Sequence, residues 1–361
     1  MSYALCKKVR DLTPYDPIEG EFDIRLDANE SFLSLSPALR SKIAGIAASL
    51  DYNRYPDPCA RELCARYAAV YGLSPDTLTA GDGSDELISI INSCMLEKSD
   101  PILTVSDDFS MYAFYAALSE HPIVVQQKEA DFRIDVDRSL ELIQEHKIKM
   151  MIFSNPCNPT GRGLSREEVR RLVKGTDALI VLDEAYMDFW NESLLPEVEG
   201  YDNLIILKTC SKALGLAGLR LGFAVANKTI TRAMRAVKSP YNVGLLPQAI
   251  ASAVLEEPDY LQNCVGQLIA SRTQLQAALD SLSEKYPDFL KKVYPSVTNF
   301  VLIDSPKAEA IQSALAEEKI AVRKFPGFLR ISAGSPAENK RLIKTLERIL
   351  ESLEKGDAAH A

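Results

Sequence analysis

The middle of the chain alternates short, continuously apolar runs with stretches of helical pattern. Five runs have the length and β-branched content of buried strands: PILTVS (101–106), MMIFSNP (150–156), ALIVLDEAY (178–186), NLIILKT (203–209) and RLGFAVA (220–226). Helical stretches such as SREEVRRLVKG (165–175) separate most of them. Strands that are apolar on both faces belong to sheets covered by helices on both sides. The pattern therefore predicts an α/β fold with a mainly parallel sheet, whose ligands bind beyond the carboxyl ends of the strands.

The pattern changes after about residue 245. A long helical region (247–284) precedes three short strand-like runs, and a closing helical stretch (335–355) follows them. This part of the chain predicts a smaller α+β domain. Because chain ends often lie close together, we expect the N-terminal residues to pack with it. We therefore predict a large domain over 46–244 and a small domain made of 1–45 and 245–361.

Composition and charge argue against several classes of protein, among them nucleic-acid-binding, membrane and metal-binding proteins. The net charge of −9 argues against nucleic acid or an anionic membrane surface as the main partner. No apolar run approaches the roughly 20 residues of a membrane span, and the N-terminal residues lack the apolar core of a signal peptide. The seven cysteines have no CxxC spacing, and the three histidines are scattered. We expect a cytoplasmic protein with reduced thiols, no membrane or nucleic-acid partner and no metal site.

One lysine, Lys212, stands among small residues just after the predicted strand 203–209. A helical surface would carry more charge here, and a core helix has little use for a lysine. At the ligand edge of a sheet, a desolvated lysine has a lowered pKa and acts as a nucleophile, so an aldehyde would form a Schiff base with it. Thr209, Ser211 and Arg220 would offer hydroxyls and a cation to a phosphate. The alternative is a surface lysine at the start of a helix.

Polar and aromatic side chains follow other predicted strands. Asp183 ends an apolar run, where an acid is costly to bury unless it is paired or hydrogen-bonded; a helix cap or a loop salt bridge is the alternative. Asn158 lies in the loop SNPCNPTGRG (154–163), which proline and glycine make rigid, so a purely structural turn is the alternative. Phe109 and Tyr112 are either core aromatics or a cover for one face of a planar ligand.

The stretch GDGSDE (81–86) precedes a helical pattern. Gly83, Ser84 and Asp85 would place backbone N–H groups at a helix start, which suits a phosphate. The stretch is not a dinucleotide-binding fingerprint, because the third glycine is absent and no strand–turn–helix with a downstream acid is clear.

Together these segments resemble the fold-type I aminotransferases, which use pyridoxal 5′-phosphate. The resemblance covers nearly the whole chain and rests on three motifs in order: NPTG (158–161), DEAY (183–186) and SKALGLAGLRLGF (211–223). Other segments are similar to the histidinol-phosphate aminotransferase family: LTPY (12–15), LDANES (26–31), NRYPDP (53–58) and FLRISAG (328–334). The fold implied is a large domain with a mainly parallel, seven-stranded sheet beside a smaller α+β domain.

The resemblance implies a role for each cofactor residue. Lys212 would hold the cofactor covalently and move the proton between substrate Cα and cofactor C4′. Asp183 would pair with the pyridine nitrogen and keep it protonated, which makes the ring an electron sink. Asn158 and Tyr186 would hydrogen-bond the ring oxygen O3′, and Phe109 would stack on the ring. The cofactor phosphate would be held by the remaining set: Gly83, Ser84, Asp85, Thr209, Ser211 and Arg220. Lys212, Asp183 and Tyr186 are the expected catalytic residues.

The resemblance also implies a substrate pocket. Arg330 would take the carboxylate of the amino acid, a planar group that favours arginine over lysine. Arg323 and Arg341 look like the family's substrate-phosphate arginines; for Arg341 a solvated helix face is the alternative. Three further residues match the pocket: Tyr15, Asn29 and Tyr55. Tyr55 would come from the other subunit of a homodimer.

The reaction implied is transamination in histidine biosynthesis, from L-histidinol phosphate and 2-oxoglutarate to imidazole-acetol phosphate and L-glutamate. Two alternatives keep the cofactor: an aromatic amino-acid aminotransferase and a phosphothreonine-type decarboxylase. NRYPDP and LTPY favour the aminotransferases over the decarboxylase. A non-catalytic cofactor-binding regulator is disfavoured, because the chain has no basic extra domain. Phe109 stands where the family commonly has tyrosine, so the stacking ring remains but a hydroxyl is lost.

Overall fold

The computed structural model of the protein describes residues 3–10, 12–14, 18–257 and 259–360. The strands are β1 (Ile24–Leu26), β2 (Leu78–Asp82), β3 (Ile102–Val105), β4 (Ile123–Gln126), β5 (Met150–Ser154), β6 (Leu179–Asp183), β7 (Leu204–Thr209), β8 (Leu221–Ala226), β9 (Lys292–Tyr294), β10 (Phe300–Asp304), β11 (Ile320–Phe325) and β12 (Phe328–Ser332).

The α-helices are α1 (Lys7–Arg10), α2 (Pro37–Ser49), α3 (Arg61–Tyr71), α4 (Gly83–Cys94), α5 (Met111–Leu118), α6 (Val136–Glu145), α7 (Arg166–Lys174), α8 (Lys228–Val237), α9 (Leu245–Leu255), α10 (Tyr260–Lys285), α11 (Ala308–Glu317) and α12 (Pro336–His360). Short 3₁₀ helices cover Pro75–Thr77, Met187–Phe189, Leu195–Gly200 and Ala217–Leu219. None of the helices in the described ranges is long and apolar enough to cross a membrane.

The larger sheet has the strand order β2-β8-β7-β6-β5-β3-β4. Among its described strands, only β8 runs against the others, pairing antiparallel with both β2 and β7. The central strands are almost wholly buried, and apolar clusters pack against both faces of the sheet. Strands covered on both faces need no alternation of polar and apolar residues, which explains their continuous apolar runs. The predicted α/β fold with a mainly parallel, seven-stranded sheet is confirmed.

The smaller sheet has the strand order β1-β11-β12-β10-β9. Strand β1, from the N-terminal part of the chain, pairs parallel with β11, so that Ile24 lies opposite Ile320. Helices α10, α11 and α12 supply the rest of its core. The predicted domain limits stay a prediction. Leu39 and Val254, which both lie outside 46–244, pack in the core of the larger sheet.

Two strands of the larger sheet escape sequence prediction. Strand β2 (LTAGD) contains a glycine and an acid, and β4 is a four-residue strand at the sheet edge with Val125 exposed. Residues 81–82 end β2 and α4 begins at Gly83, so a strand leads directly into this helix start, which the sequence did not make clear. The helical region predicted over 247–284 consists of two helices, α9 and α10.

Candidate active site

A cavity of about 660 Å³ opens beyond the carboxyl ends of the central strands β5, β6 and β7. The larger sheet forms one wall, and the smaller sheet with the segment after β1 forms the other. Thirteen of the predicted site residues line this cavity: Asn29, Ser84, Asp85, Phe109, Asn158, Asp183, Tyr186, Thr209, Ser211, Lys212, Arg220, Arg323 and Arg330. Residues from many distant segments therefore converge on one place, at the edge where a parallel sheet binds ligands.

Lys212 projects into the cavity from the loop after β7. Its Nζ donates a hydrogen bond to the Ala28 carbonyl at 2.9 Å and lies 5.9 Å from the centre of the Tyr186 ring. Burial, reinforced by the positive charge of Arg330, lowers the pKa of Lys212 to about 8. An ordinary lysine has a pKa of about 10.4, so Lys212 has a far larger neutral fraction at neutral pH. The amine is therefore suited to attack a carbonyl carbon.

Asp183 ends β6 and is buried, with 4% of its surface exposed. Its Oδ1 accepts a hydrogen bond from the Ala185 N–H at 3.0 Å, and its Oδ2 accepts one from the Tyr112 hydroxyl at 2.8 Å. Burial raises the pKa of Asp183 to about 6, although both hydrogen bonds favour the ionised form. A cation placed against this carboxylate would complete its ionisation.

Tyr112 lines the same cavity and contacts Asp183, whereas the sequence indicated only an aromatic side chain at this position. Its ring packs edge-on against Phe109, with centroids 5.5 Å apart. Tyr112 lies in the first turn of α5, and Phe109 lies just before the helix, three residues away in the sequence. That spacing is the signal that could have linked the two side chains. The hydrogen bond to Asp183 has no counterpart in the local sequence.

Asn158 is positioned by a network that includes another residue the sequence did not indicate, Asp108. Asn158 lies in the loop 154–163, in which the Asn155–Pro156 and Asn158–Pro159 bonds are both cis. The Asn158 N–H donates to Ser154 Oγ at 3.2 Å. Asp108 accepts hydrogen bonds from the Ser154 N–H at 3.1 Å and the Phe109 N–H at 2.7 Å. Asp108 therefore ties the loop that carries Phe109 to the loop that carries Asn158.

The N-terminus of α4 and the loops around β8 form a tight polar cradle. Gly83 has φ +74°, and a Cβ there would lie 2.7 Å from Arg220 Nη2. A Cβ at Gly222 would lie 2.6 Å from the Ser84 nitrogen, so only glycine permits this approach of β8 to the helix start. Arg220 Nη2 lies 3.5 Å from Asp85 Oδ2. Free N–H groups at a helix start, together with an arginine, suit a phosphate.

The opposite wall of the cavity is basic. Arg330 on β12 is buried and donates hydrogen bonds to Asn158 Oδ1 and, at 2.5 Å, to the Asp27 carbonyl. Arg323 lies directly opposite Arg330 in the pairing of β11 with β12. Asn29 Nδ2 donates to the Tyr186 hydroxyl at 2.9 Å. These contacts join the smaller sheet and the segment after β1 to the residues of the larger sheet.

Three predicted substrate residues are not among those that line this cavity. Arg341 on α12 pairs with Asp23 Oδ2 at 2.8 Å. Tyr55 has 81% of its surface exposed and stacks on Tyr241, with ring centroids 4.5 Å apart. Tyr15 lies outside the described residues. The substrate roles of all three stay predictions.

The groups of the cavity fit a planar heteroaromatic aldehyde that carries a phosphate. Lys212 offers the amine for the aldehyde, and Asp183 offers a carboxylate for a ring cation. Phe109 offers an aromatic face. The cradle at the start of α4 offers the phosphate site, where a methyl group added at Gly222 would clash with the backbone of Gly83 and Ser84.

Comparisons with known proteins agree with this fit. Residues 23–346 match the family model of the class I and II aminotransferases. Histidinol-phosphate aminotransferase of Clostridium kluyveri is 37% identical over 350 residues, which cover 96% of this chain and 98% of that one. The Clostridium novyi protein of the same name is also 37% identical, over 94% of this chain and 96% of that one.

Solved structures point the same way. Histidinol-phosphate aminotransferase from Sinorhizobium meliloti, in complex with pyridoxal-5′-phosphate, matches with a TM-score of 0.83 at 26% identity over 92% of both chains. L-threonine-O-3-phosphate decarboxylase from Porphyromonas gingivalis has a TM-score of 0.78 over 91% of this chain and 99% of that one. At 24% identity, that second likeness shows the fold alone. The chain therefore belongs to the class I and II aminotransferases, in the family of the histidinol-phosphate aminotransferases.

Proposed function

We propose that this protein is a pyridoxal-phosphate-dependent aminotransferase that moves the amino group of L-histidinol phosphate to 2-oxoglutarate. One observation carries the proposal. A single cavity combines an amine of lowered pKa, a buried carboxylate and three arginines, in a chain 37% identical to histidinol-phosphate aminotransferases over nearly its whole length.

The cavity residues support this cofactor. Pyridoxal phosphate supplies an aldehyde that bonds to amines and a pyridine ring that accepts the electron pair released at the substrate carbon. Lys212 Nζ would hold the aldehyde, and Asp183 would keep the ring nitrogen protonated. Asn158 and Tyr186 would offer hydrogen bonds to the ring oxygen, and Phe109 would cover one face. The phosphate would be held by the cradle residues Gly83, Ser84, Asp85 and Arg220 together with Thr209 and Ser211.

Lys212 also moves the proton. With the cofactor bound to the substrate amine, the Lys212 amine would be free in the cavity. It would be the group that takes the proton from substrate Cα and delivers it back on the cofactor side. A general base is most effective when its pKa lies near the working pH, and the pKa of Lys212, about 8, meets this condition.

Arg330 and Arg323 support the pair of substrates. Histidinol phosphate carries a phosphate and no carboxylate, whereas 2-oxoglutarate carries two carboxylates. Two neighbouring arginines on paired strands can take either kind of anion, and their planar guanidinium groups bind both types of oxygen acid in a bidentate manner.

A homodimer in the cytoplasm completes the proposal. Tyr55 would reach the active site of the partner subunit, which is supported by its exposure and by its stack on Tyr241, since stacking holds the ring in an outward position. All seven cysteines lie in the described part of the chain and none forms a disulfide, which supports a reducing compartment.

The function is tested by titrating the purified, cofactor-loaded protein with L-histidinol phosphate and following the cofactor absorbance. Loss of the yellow form at low substrate, restored by 2-oxoglutarate, is the expected result. The same change with phenylalanine or phosphothreonine only would move the substrate to one of the alternative activities. A protein that never takes up the cofactor in a coloured form would overturn the proposal.

Tyr112→Phe is expected to lower kcat about 10-fold, because a buried hydrogen bond to a charged group contributes about 1.5–3 kcal/mol. This hydrogen bond lowers the pKa of Asp183, so its loss raises that pKa. The acidic limb of the kcat/KM profile should therefore move to higher pH. The measurement is a steady-state pH profile, with Tyr52→Phe, an exposed tyrosine that does not line the cavity, as control. An acidic limb that stays in place would contradict the role given to Tyr112.

A further inference from the structure

One carboxylate of the cavity has no part in the reaction described so far. Glu30 stands in the segment after β1 and lines the cavity on its solvent-exposed side. This segment is fixed against the reacting groups, because the Ala28 carbonyl accepts from Lys212 Nζ and Asn29 Nδ2 donates to the Tyr186 hydroxyl. The backbone that carries Glu30 is therefore held beside the reacting centre.

Glu30 differs from the other carboxylates that line the cavity. Each of the other four has a partner: Asp27 has Arg25, Asp85 has Arg220, Asp108 has Ser154 and Asp183 has Tyr112. Across the described residues, Glu30 makes neither a hydrogen bond nor an ion pair. Its charge still acts within the cavity, because it raises the pKa of Lys212 against the effect of burial. The carboxylate is thus available to a ligand.

The cavity is therefore cationic at one side and anionic at another. Arg330 donates to the Asp27 carbonyl, three residues before Glu30. An extended chain spans at most about 3.6 Å per residue, so the Glu30 backbone lies within roughly 11 Å of that contact. A small ligand with an acidic group and a basic or N–H-donating group would match both sides at once.

L-Histidinol phosphate has this character. Its amine-bearing carbon carries a phosphate on one arm and an imidazole on another. With the phosphate at the arginines and the amine at Lys212, the imidazole is left for the remaining polar group of the cavity. Imidazole has an N–H donor in either protonation state and titrates near pH 6.5, so part of it is cationic at neutral pH.

We propose that Glu30 accepts a hydrogen bond from the imidazole of L-histidinol phosphate and thereby selects this amino donor. The inference rests on the proposed function. Glutamate and 2-oxoglutarate place a second carboxylate where histidinol phosphate has its imidazole, and Glu30 repels that group. Glu30 is therefore a specificity residue for one half of the reaction and gives no help in the other half.

The test compares Glu30→Gln with the wild-type holoenzyme in each half-reaction separately, first with L-histidinol phosphate and then with glutamate. We expect kcat/KM for histidinol phosphate to fall about 10-fold, mainly through KM, because a charge-assisted hydrogen bond is lost. The value for glutamate should stay unchanged or rise. Glu30→Asp should recover part of the loss. Glu199→Gln, an exposed glutamate in the 3₁₀ helix Leu195–Gly200, is the control for removal of one negative charge.

Each possible result either supports or overturns the proposed role of Glu30. A selective loss with histidinol phosphate supports the inference. An equal loss with both amino donors would overturn it, because Glu30 would then act through Lys212. An unchanged histidinol-phosphate reaction in Glu30→Gln would overturn it as well and leave the proposed function standing. A wild-type enzyme that does not react with histidinol phosphate would remove the proposed function, and this inference with it.

Discussion

Lys212→Ala is expected to lower the turnover of L-histidinol phosphate at least about 10³-fold, because in the proposed mechanism one side chain both holds the cofactor and moves the proton. The lowered pKa of Lys212 and its place beside the Ala28 carbonyl make it the amine available for both steps. Tyr186 lies near this amine, but its pKa is raised to about 12, mainly by burial, so it does not replace the lysine as a base at neutral pH.

Two measurements check this expectation. Single-turnover kinetics report the proton step, and borohydride reduction followed by peptide mass spectrometry reports the covalent bond. The wild-type protein should carry the reduced cofactor on the peptide that contains Lys212, and the variant should carry none. Lys174→Ala, an exposed lysine at the end of α7, is the control. Normal turnover in Lys212→Ala would show that the covalent mechanism is wrong.

Asp183→Asn is expected to lower kcat by about 10²-fold or more, since a neutral amide does not stabilise the charge that develops on the ring. The stability of the folded protein should change in the opposite direction and increase in the variant. An unfolded aspartate has a pKa of about 3.9, whereas burial raises the pKa of Asp183 to about 6. The folded, cofactor-free protein therefore binds more protons in this interval, and the wild type loses stability as the pH rises through it.

The variant lacks this titrating group. The difference between its free energy of unfolding and that of the wild type should therefore shift in favour of the variant as the pH rises from 4 to 7. The gain should be about 1–3 kcal/mol, given one pKa unit per 1.36 kcal/mol. Urea unfolding of the cofactor-free proteins at several pH values measures it, with Asp51→Asn as an exposed control. A variant that loses both activity and stability would point to misfolding and not to lost electrostatics.

The parts of the site that sequence can predict are those that local pattern fixes. Asp183 and Lys212 each stand at or just after the end of a continuous apolar run. The sequence alone therefore predicts that both lie where a strand ends, at the edge of the sheet. Tyr112 and Asp108 act through contacts with residues more than 40 positions away, which no local pattern encodes. The same is true of Glu30, because its proposed role depends on its having no hydrogen-bond or ion-pair partner among the described residues.

Strand β2 was missed from the sequence for a related reason. Strand β2 contains Gly81, which reads as a turn, yet a Cβ there would lie 2.6 Å from Leu87 Cγ. The glycine serves the packing of α4 against the strand and does not end it. Tertiary packing therefore decides the residue type at this position, and strand propensity does not.

The two walls of the cavity differ in how well they tolerate substitution, because glycines are tightly packed in the wall that contains the cradle. At Gly222 a Cβ would press on the Ser84 nitrogen at 2.6 Å and on the Lys208 carbonyl at 3.0 Å, so a substitution would push β8 away from α4. On the other wall, Glu30 is an exposed side chain on a loop and Arg323 is a half-buried side chain on β11, so neither is a tightly packed glycine. In laboratory selections, new amino donors should therefore arise by substitutions in the wall of the smaller sheet, while the glycines of the other wall stay unchanged.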